Sequence, residues 1–339
     1  MTQYLNDHKM SAKVSVIIPI YRVEEYISRC VKSLMSQTLQ DVEFIFVDDA
    51  TPDSSMERLN DVLALFPNKR PFIKIIRHEK NKGLPAARNS GMAIANGDYI
   101  YHCDSDDYLE ADALQEMYEC AVKNNADIVW CDYYMTYPET ERYFHQPSYD
   151  SPEAACKGML SGCMKYNVWN KLVRQSLYND HNVTFPSGYS MGEDLTMIKL
   201  FTFANSVSNV SKALYHYEQG NANAMSHVYT NEKLKALKHN TYDIVDFMIA
   251  QYGNKWNLQL YSFTLLMKWP FLVTGDILMY KVWKEWFPEA NNYIWQDSSV
   301  SLRIRLVEWL ASKGLFVFVW LHYWIVIRIF YRIKYTILR

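Results

Sequence analysis

YIYHCDSDDYLEAD, Tyr99 to Asp112, runs a strand-forming segment straight into five acidic residues. Carboxylates this close repel one another. At about 4 Å and an intermediate effective dielectric, one such pair costs roughly 4 kcal/mol before screening. In an extended segment, residues i and i+2 point the same way, so Asp104 and Asp106 can face one divalent cation. Hard oxygen ligands suit Mg²⁺ or Mn²⁺, and a cation held by one or two carboxylates keeps positions open for phosphate oxygens. The alternative is a solvated loop in which Asp107 or Asp112 caps the next helix.

Working outward, strand and helix patterns alternate on both sides of this stretch. VSVIIPI (Val14 to Ile20) is a short apolar run suited to a strand buried on both faces. Residues 23–37 read as a helix and VEFIFVDD (Val42 to Asp49) as a second strand. Residues 51–66 open on turn and cap residues and become helical. FIKIIRH is a third strand. GLPAARNSGMAIANG reads as a small-residue helix closing at Asn96-Gly97. DYIYHCD is a fourth strand, residues 111–125 a helix, and ADIVWCDYY a fifth strand. This alternation predicts an α/β fold: a Rossmann-like, mostly parallel central sheet flanked by helices. Ligands gather at the carboxyl ends of such strands, where Asp48, Asp49, Asp104 and Asp106 all fall. Residues 137–154 are polar, hold three prolines and read as a loop. Residues 155–230 are less regular, and from Asn231 the pattern is helical and aromatic.

The 339 residues suggest two domains, or one with an appendage. A formal net charge of −2 argues against a nucleic-acid partner bound by bulk charge. The six cysteines form no CxxC pair and read as reduced, mostly buried thiols of a cytosolic protein, rather than as disulfides or zinc ligands. The first thirteen residues hold no apolar core, so no secretory signal peptide is expected.

Other charged groups cluster near helix starts. Asp48-Asp49 can accept hydrogen bonds from a nucleobase or ribose. Lys82 and Arg88 flank the start of the small-residue helix, where a phosphate is favoured; a surface salt bridge is the plainer alternative for Arg88. Neither GxGxxG nor GxxxxGK[ST] is present. In GEDL, Glu193-Asp194 follows a turn; a carboxylate there can act as a general base or cap the helical run that follows.

The ordered set VSVIIPIY, FIFVDDATPDSS, NKGLPAARNSGMAIANGDYIYHCDSDDY, NKLVR, GEDL and YHYEQGNANAMSH resembles the family 2 inverting glycosyltransferases with the GT-A fold, of the bacterial surface-glycan type. The resemblance covers roughly residues 13–228. It implies a nucleotide-sugar donor, most often a UDP-sugar, and Mn²⁺ or Mg²⁺. Pro19 and Tyr21 would border the base, Asp48 would accept from uracil, and Asp49 would support the turn. Lys82 and Arg88 would lie near the base or diphosphate. Asp106 would ligate the metal, with Asp104 on the ribose or metal and His227 close by. Asp194 would be the catalytic base beside Glu193, and Trp169, Asn170 and Lys171 would line the acceptor side. A buried aromatic with polar neighbours is the other reading of that triplet. Where the family often has an arginine after Tyr215 to Tyr217, this chain has Glu218 and Gln219. A glutamate there would repel a diphosphate, so Glu218 is expected to point away.

The resemblance implies a nucleotide-sugar-binding and catalytic domain over 1–230; beyond its reach, the helical, aromatic pattern reads as a support region over 231–300 and the apolar, basic end as a tail over 301–339. In the tail, the uninterrupted apolar core from Leu315 to Ile327 would reach only about 20 Å as a helix, short of a bilayer's roughly 30 Å hydrocarbon. With Arg303, Arg305, Lys313, Arg328, Arg332 and Lys334 around it, it reads as an in-plane helix drawn to anionic lipid; a buried or dimer helix is the alternative. The expectation is a peripheral enzyme at the cytoplasmic face of the membrane that passes a sugar to a glycan or lipid-linked acceptor. A homo-oligomer is compatible with it. The competing readings are a non-catalytic nucleotide-sugar-binding membrane scaffold and a sugar-1-phosphate nucleotidyltransferase. The second is disfavoured because PIYRVEEYI lacks a glycine-rich loop.

Overall fold

The computed structural model describes residues 12–190, 192–221 and 230–330. The chain divides into two compact units, one of residues up to 156 with 166–240, the other of 157–165 with residues from 241 onward. The division falls ten residues after the expected boundary at 230. Residues 241–300 of the expected support region share one unit with the tail.

The first unit is built on a nine-stranded sheet. Its parallel half is β1 (Val14–Ile20), β2 (Val42–Asp48), β3 (Ile73–Arg77) and β4 (Tyr99–His102), in the order β3-β2-β1-β4. Every residue of β1 and β2 is buried, which is why both are nearly continuous apolar runs. The sheet continues through β5 (Tyr108–Leu109), β6 (Ile128–Thr136), β7 (Glu141–Phe144), β8 (Lys171–Arg174) and β9 (Val207–Glu218). β8 is inserted antiparallel between β4 and β6, β9 runs parallel to β6, and β5 closes that edge against β9. β7 pairs with β6 and lies inside 137–154, so that polar segment is a hairpin arm rather than a loop alone. The irregular stretch 155–230 likewise supplies β8 and the twelve-residue β9.

The flanking helices are α1 (Ile27–Met35), α2 (Ser55–Leu63), α3 (Leu84–Met92), α4 (Ala113–Asn124), α5 (Pro152–Leu160), α6 (Gln175–Asp180) and α7 (Thr196–Phe203). α1 buries Ile27, Cys30, Val31, Leu34 and Met35, one stripe at helical spacing. α3 lies against β1 through Gly91: a Cβ there would meet Ile17 Cγ2 at 2.5 Å. It ends at Met92, and residues 93–97 form tight turns instead of the expected helical extension.

The second unit is helical, with α8 (Asn231–Tyr252) leading in, then α9 (Asn257–Lys268), α10 (Ile277–Glu285), α11 (Leu302–Ser312) and α12 (Phe316–His322), which runs on as a π-helix over Tyr323–Phe330. Trp256, Phe263, Trp283, Trp286, Val307 and Val319 are buried. So is Lys268, whose Nζ donates to Asn291 Oδ1 (2.6 Å) and lies 4.0 Å from the Trp283 ring centre. Burial pushes this amine down to about 7 and pushes buried Glu308 up to about 8. Among the described residues no helix is long and apolar enough to cross a membrane.

Candidate active site

The turn after β4 carries the aspartates, and each has a different partner. Asp107 is fully buried; its Oδ2 accepts from the Tyr215 hydroxyl (2.6 Å) and its Oδ1 from the Glu218 N–H (2.7 Å). It fastens the turn to β9. Burial, then the charges of Asp106 and Asp104, hold its carboxyl well above the usual range. Asp106 Oδ2 accepts from Asn221 Nδ2 (2.8 Å), and burial followed by Asp104's charge pushes it up to about 6. Asp104 Oδ1 accepts from Arg88 Nη2 (2.9 Å), and its N–H donates to the Tyr215 hydroxyl (3.2 Å).

Arg88 is the positive charge that the cluster required. It projects from α3 with 1% exposure. Nη1 donates to Asp194 Oδ1 (2.8 Å) and to Glu193 Oε1 (3.3 Å) while Nη2 holds Asp104. Burial alone would lower its pKa, but the three carboxylates hold it above the ordinary arginine value. This arginine was expected near the base or diphosphate; the structure turns it inward instead, onto acidic side chains.

Glu193 and Asp194 form a short helical turn before α7. Gly192 before them has φ +81°, a left-handed conformation that glycine adopts without strain. Burial, then Asp194's charge, pushes Glu193 up to about 8. Burial raises Asp194 as well, against the pull of Arg88. Glu193 and Asp194 share one nitrogen of the guanidinium, so for these two desolvation prevails over pairing.

At the end of β2, buried Asp48 accepts from the Thr51 N–H (2.9 Å) and from Arg77 Nε (2.6 Å). Asp49 accepts from the N–H groups of Lys82 and Gly83 (2.8 Å each), and one oxygen lies 2.7 Å from His78 Nδ1. That ties the loop before α3 to β2. The Lys82 side chain is exposed, Pro19 is buried, and Tyr21 is exposed.

Trp169, Asn170 and Lys171 are buried, which corrects the expectation that they line an acceptor surface. Trp169 stacks on Tyr215 and Tyr217, with centroids 4.5 and 5.0 Å away. Asn170 donates to the Cys131 carbonyl (2.9 Å), and Lys171 Nζ donates to the Asn167 carbonyl (2.6 Å) and Asn170 Oδ1 (2.9 Å). Burial takes Lys171 down to about 7, against the pull of Asp194. Glu218 pairs with Arg29 (2.6 Å) and accepts from the Gly220 N–H (2.7 Å), so its charge is balanced within the fold. Tyr215, Asn221 and Arg29 were not singled out from sequence as site residues; their roles come from contacts across the sheet.

His227 lies outside the described residues. Among the described residues no group of three or more His, Cys, Asp or Glu side chains is arranged to hold a metal ion. Asp104 and Asp106 are nonetheless hard oxygen donors on one turn, and Asp106 has a neutral amide as its side-chain partner. That donor set fits Mg²⁺ or Mn²⁺.

The glycosyl transferase family 2 model matches residues 15–192. An uncharacterized glycosyltransferase of Bacillus subtilis, EpsJ, is 33% identical over 224 residues, 63% of this chain and 63% of that protein. This chain's match thus spans less than two thirds of EpsJ's length. The cholesterol galactosyltransferase of Borreliella burgdorferi is 29% identical over 349 residues, covering 90% of this chain and 94% of that one. Among solved structures, residues 1–349 of S. aureus TarS in complex with UDP-GlcNAc align with a TM-score of 0.67 at 21% identity, covering 92% and 91% of the two chains. That likeness is one of fold, the GT-A arrangement of a mostly parallel sheet between helices.

Proposed function

This chain belongs to glycosyl transferase family 2, and from that premise we propose that it moves a sugar, with inversion, from a UDP-sugar to a hydroxyl of a glycan or lipid-linked acceptor in surface polysaccharide synthesis. One observation carries the reading. Two acidic turns, at Asp104 and at Glu193-Asp194, lie about ninety residues apart in sequence yet meet on the Arg88 guanidinium. A donor-side and a base-side carboxylate are thereby brought to one place at the carboxyl end of the sheet.

In this mechanism the exposed Tyr21 and Lys82 receive the nucleotide at the ends of β1 and β2, where Pro19 and Asp48 are buried and Asp48 would have to exchange a partner to accept from the base. Asp106 and Asp104 would hold Mg²⁺ or Mn²⁺, which when bound offsets negative charge developing on the leaving diphosphate. Asp194 accepts the proton of the acceptor hydroxyl as that oxygen attacks the anomeric carbon from the face opposite the diphosphate. Glu193 holds the acceptor or donor sugar beside it. The UDP donor is supported by the UDP-GlcNAc complex of the structural neighbour. An acceptor of lipid character is supported by the relative named a cholesterol galactosyltransferase. Peripheral binding at the cytoplasmic face of the membrane is supported by the apolar side chains exposed on and after α12: Val317, Phe318, Leu321, Trp324 and Ile325.

The test is calorimetric titration of UDP with and without Mn²⁺, on wild type and Asp106→Ala, together with turnover of Asp194→Asn. Metal-dependent binding lost in the first variant and turnover lost in the second are expected. Binding indifferent to metal and to Asp106 would return the aspartates to a solvated loop. Full turnover in Asp194→Asn would remove it as the base.

A further inference from the structure

We propose that Arg88 is a positioning residue, which holds the Glu193-Asp194 turn in place and does not bind the donor diphosphate. The inference rests on Asp194 being the base. An arginine that binds a diphosphate must present N–H groups to it, usually two at once. Arg88 is 1% exposed, and both terminal nitrogens already donate to Asp104, Glu193 and Asp194. Its Nε is buried and has no partner among the described residues, so it offers nothing to solvent either. The Phe185 ring covers the guanidinium at 5.4 Å.

The neighbouring residue of α3 does the same work by another means. Asn89 donates through Nδ2 to the Phe185 carbonyl (2.8 Å) and accepts the Phe185 N–H (2.9 Å). It also donates to Ser187 Oγ (3.3 Å). Two consecutive side chains of α3 therefore hold the segment that carries the acidic turn, Asn89 at its start and Arg88 at its end. α3 is itself seated on β1 by the close approach at Gly91, so the base is referenced to the rigid centre of the sheet. A base placed within a fraction of an ångström of its proton depends on such second contacts. Arg88 also gives two adjacent carboxylates, the buried Glu193 and the part-buried Asp194, a cation that they share. Without it they would repel, and the turn would relax toward solvent.

The experiment uses the full chain with Arg88→Gln and Arg88→Lys. UDP affinity is measured by calorimetry with Mn²⁺, and kcat and donor KM by UDP release. UDP affinity and donor KM within threefold of wild type are expected in Arg88→Lys, which keeps the charge beside Asp104, and in Arg88→Gln any loss should not exceed that of Asp104→Ala. In Arg88→Gln kcat should fall at least 100-fold, and in Arg88→Lys it should return to within about tenfold of wild type. A loss of UDP affinity in Arg88→Lys, or one in Arg88→Gln greater than that of Asp104→Ala, would make Arg88 a donor ligand and overturn the inference. An unchanged kcat in Arg88→Gln would overturn it as well. If Arg88→Gln does not fold, Arg88→Lys carries the test: UDP affinity unchanged with kcat within about tenfold of wild type supports positioning, and affinity and kcat failing together refutes it. Asp194→Asn separates the two readings. An active Asp194→Asn removes the base and this inference with it, whereas an inactive Asp194→Asn beside a normal Arg88→Gln removes the inference alone.

Discussion

Two tyrosines beneath the aspartate turn should respond with opposite sign to the same change. Tyr215 is fully buried; its hydroxyl donates to Asp107 Oδ2 (2.6 Å) and accepts the Asp104 N–H (3.2 Å). Tyr215→Phe deletes both bonds and leaves a buried acceptor and a backbone donor short of a partner. A hydrogen bond to a carboxylate is worth about 1.5–3 kcal/mol, and an orphaned buried group adds about 1–3 kcal/mol. A loss of roughly 3 kcal/mol is expected, with no cavity because the ring stays. Tyr101, on β4, is equally buried, but its hydroxyl has no partner among the described residues. Tyr101→Phe removes a desolvated, unsatisfied group and should stabilise by about 1–2 kcal/mol. Urea unfolding is the assay. With a slope near 3 kcal/mol per M, the Tyr215→Phe midpoint should fall by about 1 M and the Tyr101→Phe midpoint should rise. A change under about 0.5 kcal/mol in Tyr215→Phe, or a loss in Tyr101→Phe comparable to it, would refute the reasoning.

Gly91→Ala should destabilise by about 1–3 kcal/mol, because its Cβ would stand 2.5 Å from Ile17 Cγ2; an unchanged urea midpoint would show that α3 can lift off β1 freely. In the second unit Glu308 has its pKa raised by burial to about 8, so it favours folding below its unfolded value and that contribution drains away as pH rises toward 8. Lys268, lowered to about 7, adds little slope below pH 7. Between pH 5 and 7 the wild type should therefore lose up to about 2.7 kcal/mol relative to Glu308→Gln; parallel stability curves for the two proteins would contradict the buried carboxyl. The full chain should float with vesicles containing anionic phosphatidylglycerol and less with neutral phosphatidylcholine. Phe318→Glu with Trp324→Glu should weaken that partition at least tenfold, and equal flotation of variant and wild type would exclude this face as the lipid contact.

The parallel half of the sheet was legible because its strands are buried on both faces and so are written as unbroken apolar runs. β8 and β9 were not, for a physical reason. β8 is four residues long and exists because β4 and β6 flank it, and the first half of β9 is only partly buried. Neither leaves a local period. The Asp104–Asp106 turn and the Glu193-Asp194 turn were legible as carboxylates beside strand and helix ends. The burial of Lys171 was not: its amine donates to the nearby Asn167 carbonyl and Asn170 amide oxygen, and what encloses it is the tertiary placement of β8 between β4 and β6. The inward turn of Arg88 did have a signal. It precedes Gly91 by three residues, hence on the same face of α3, and a helix that approaches a sheet through glycine buries that face. A lone arginine near a helix start invites a phosphate reading; one set on the packed face needs carboxylates instead.

The separate partners of the three aspartates also decide which of them can report on a cation. Asp107 is structural: removing it releases Tyr215 and the Glu218 N–H, and the sheet edge with them. Asp104 shares Arg88 with the acidic turn, so Asp104→Ala would redistribute that guanidinium over Glu193 and Asp194 and disturb the base together with the donor side. Asp106 has a side-chain amide as partner, which supplies a hydrogen bond but no charge. Its substitution removes a negative charge at the site while leaving the Arg88 contacts standing. A loss of metal-dependent UDP binding in Asp106→Ala can therefore be assigned to the cation, whereas the same loss in Asp104→Ala or Asp107→Ala would leave the cause divided between metal, fold and base.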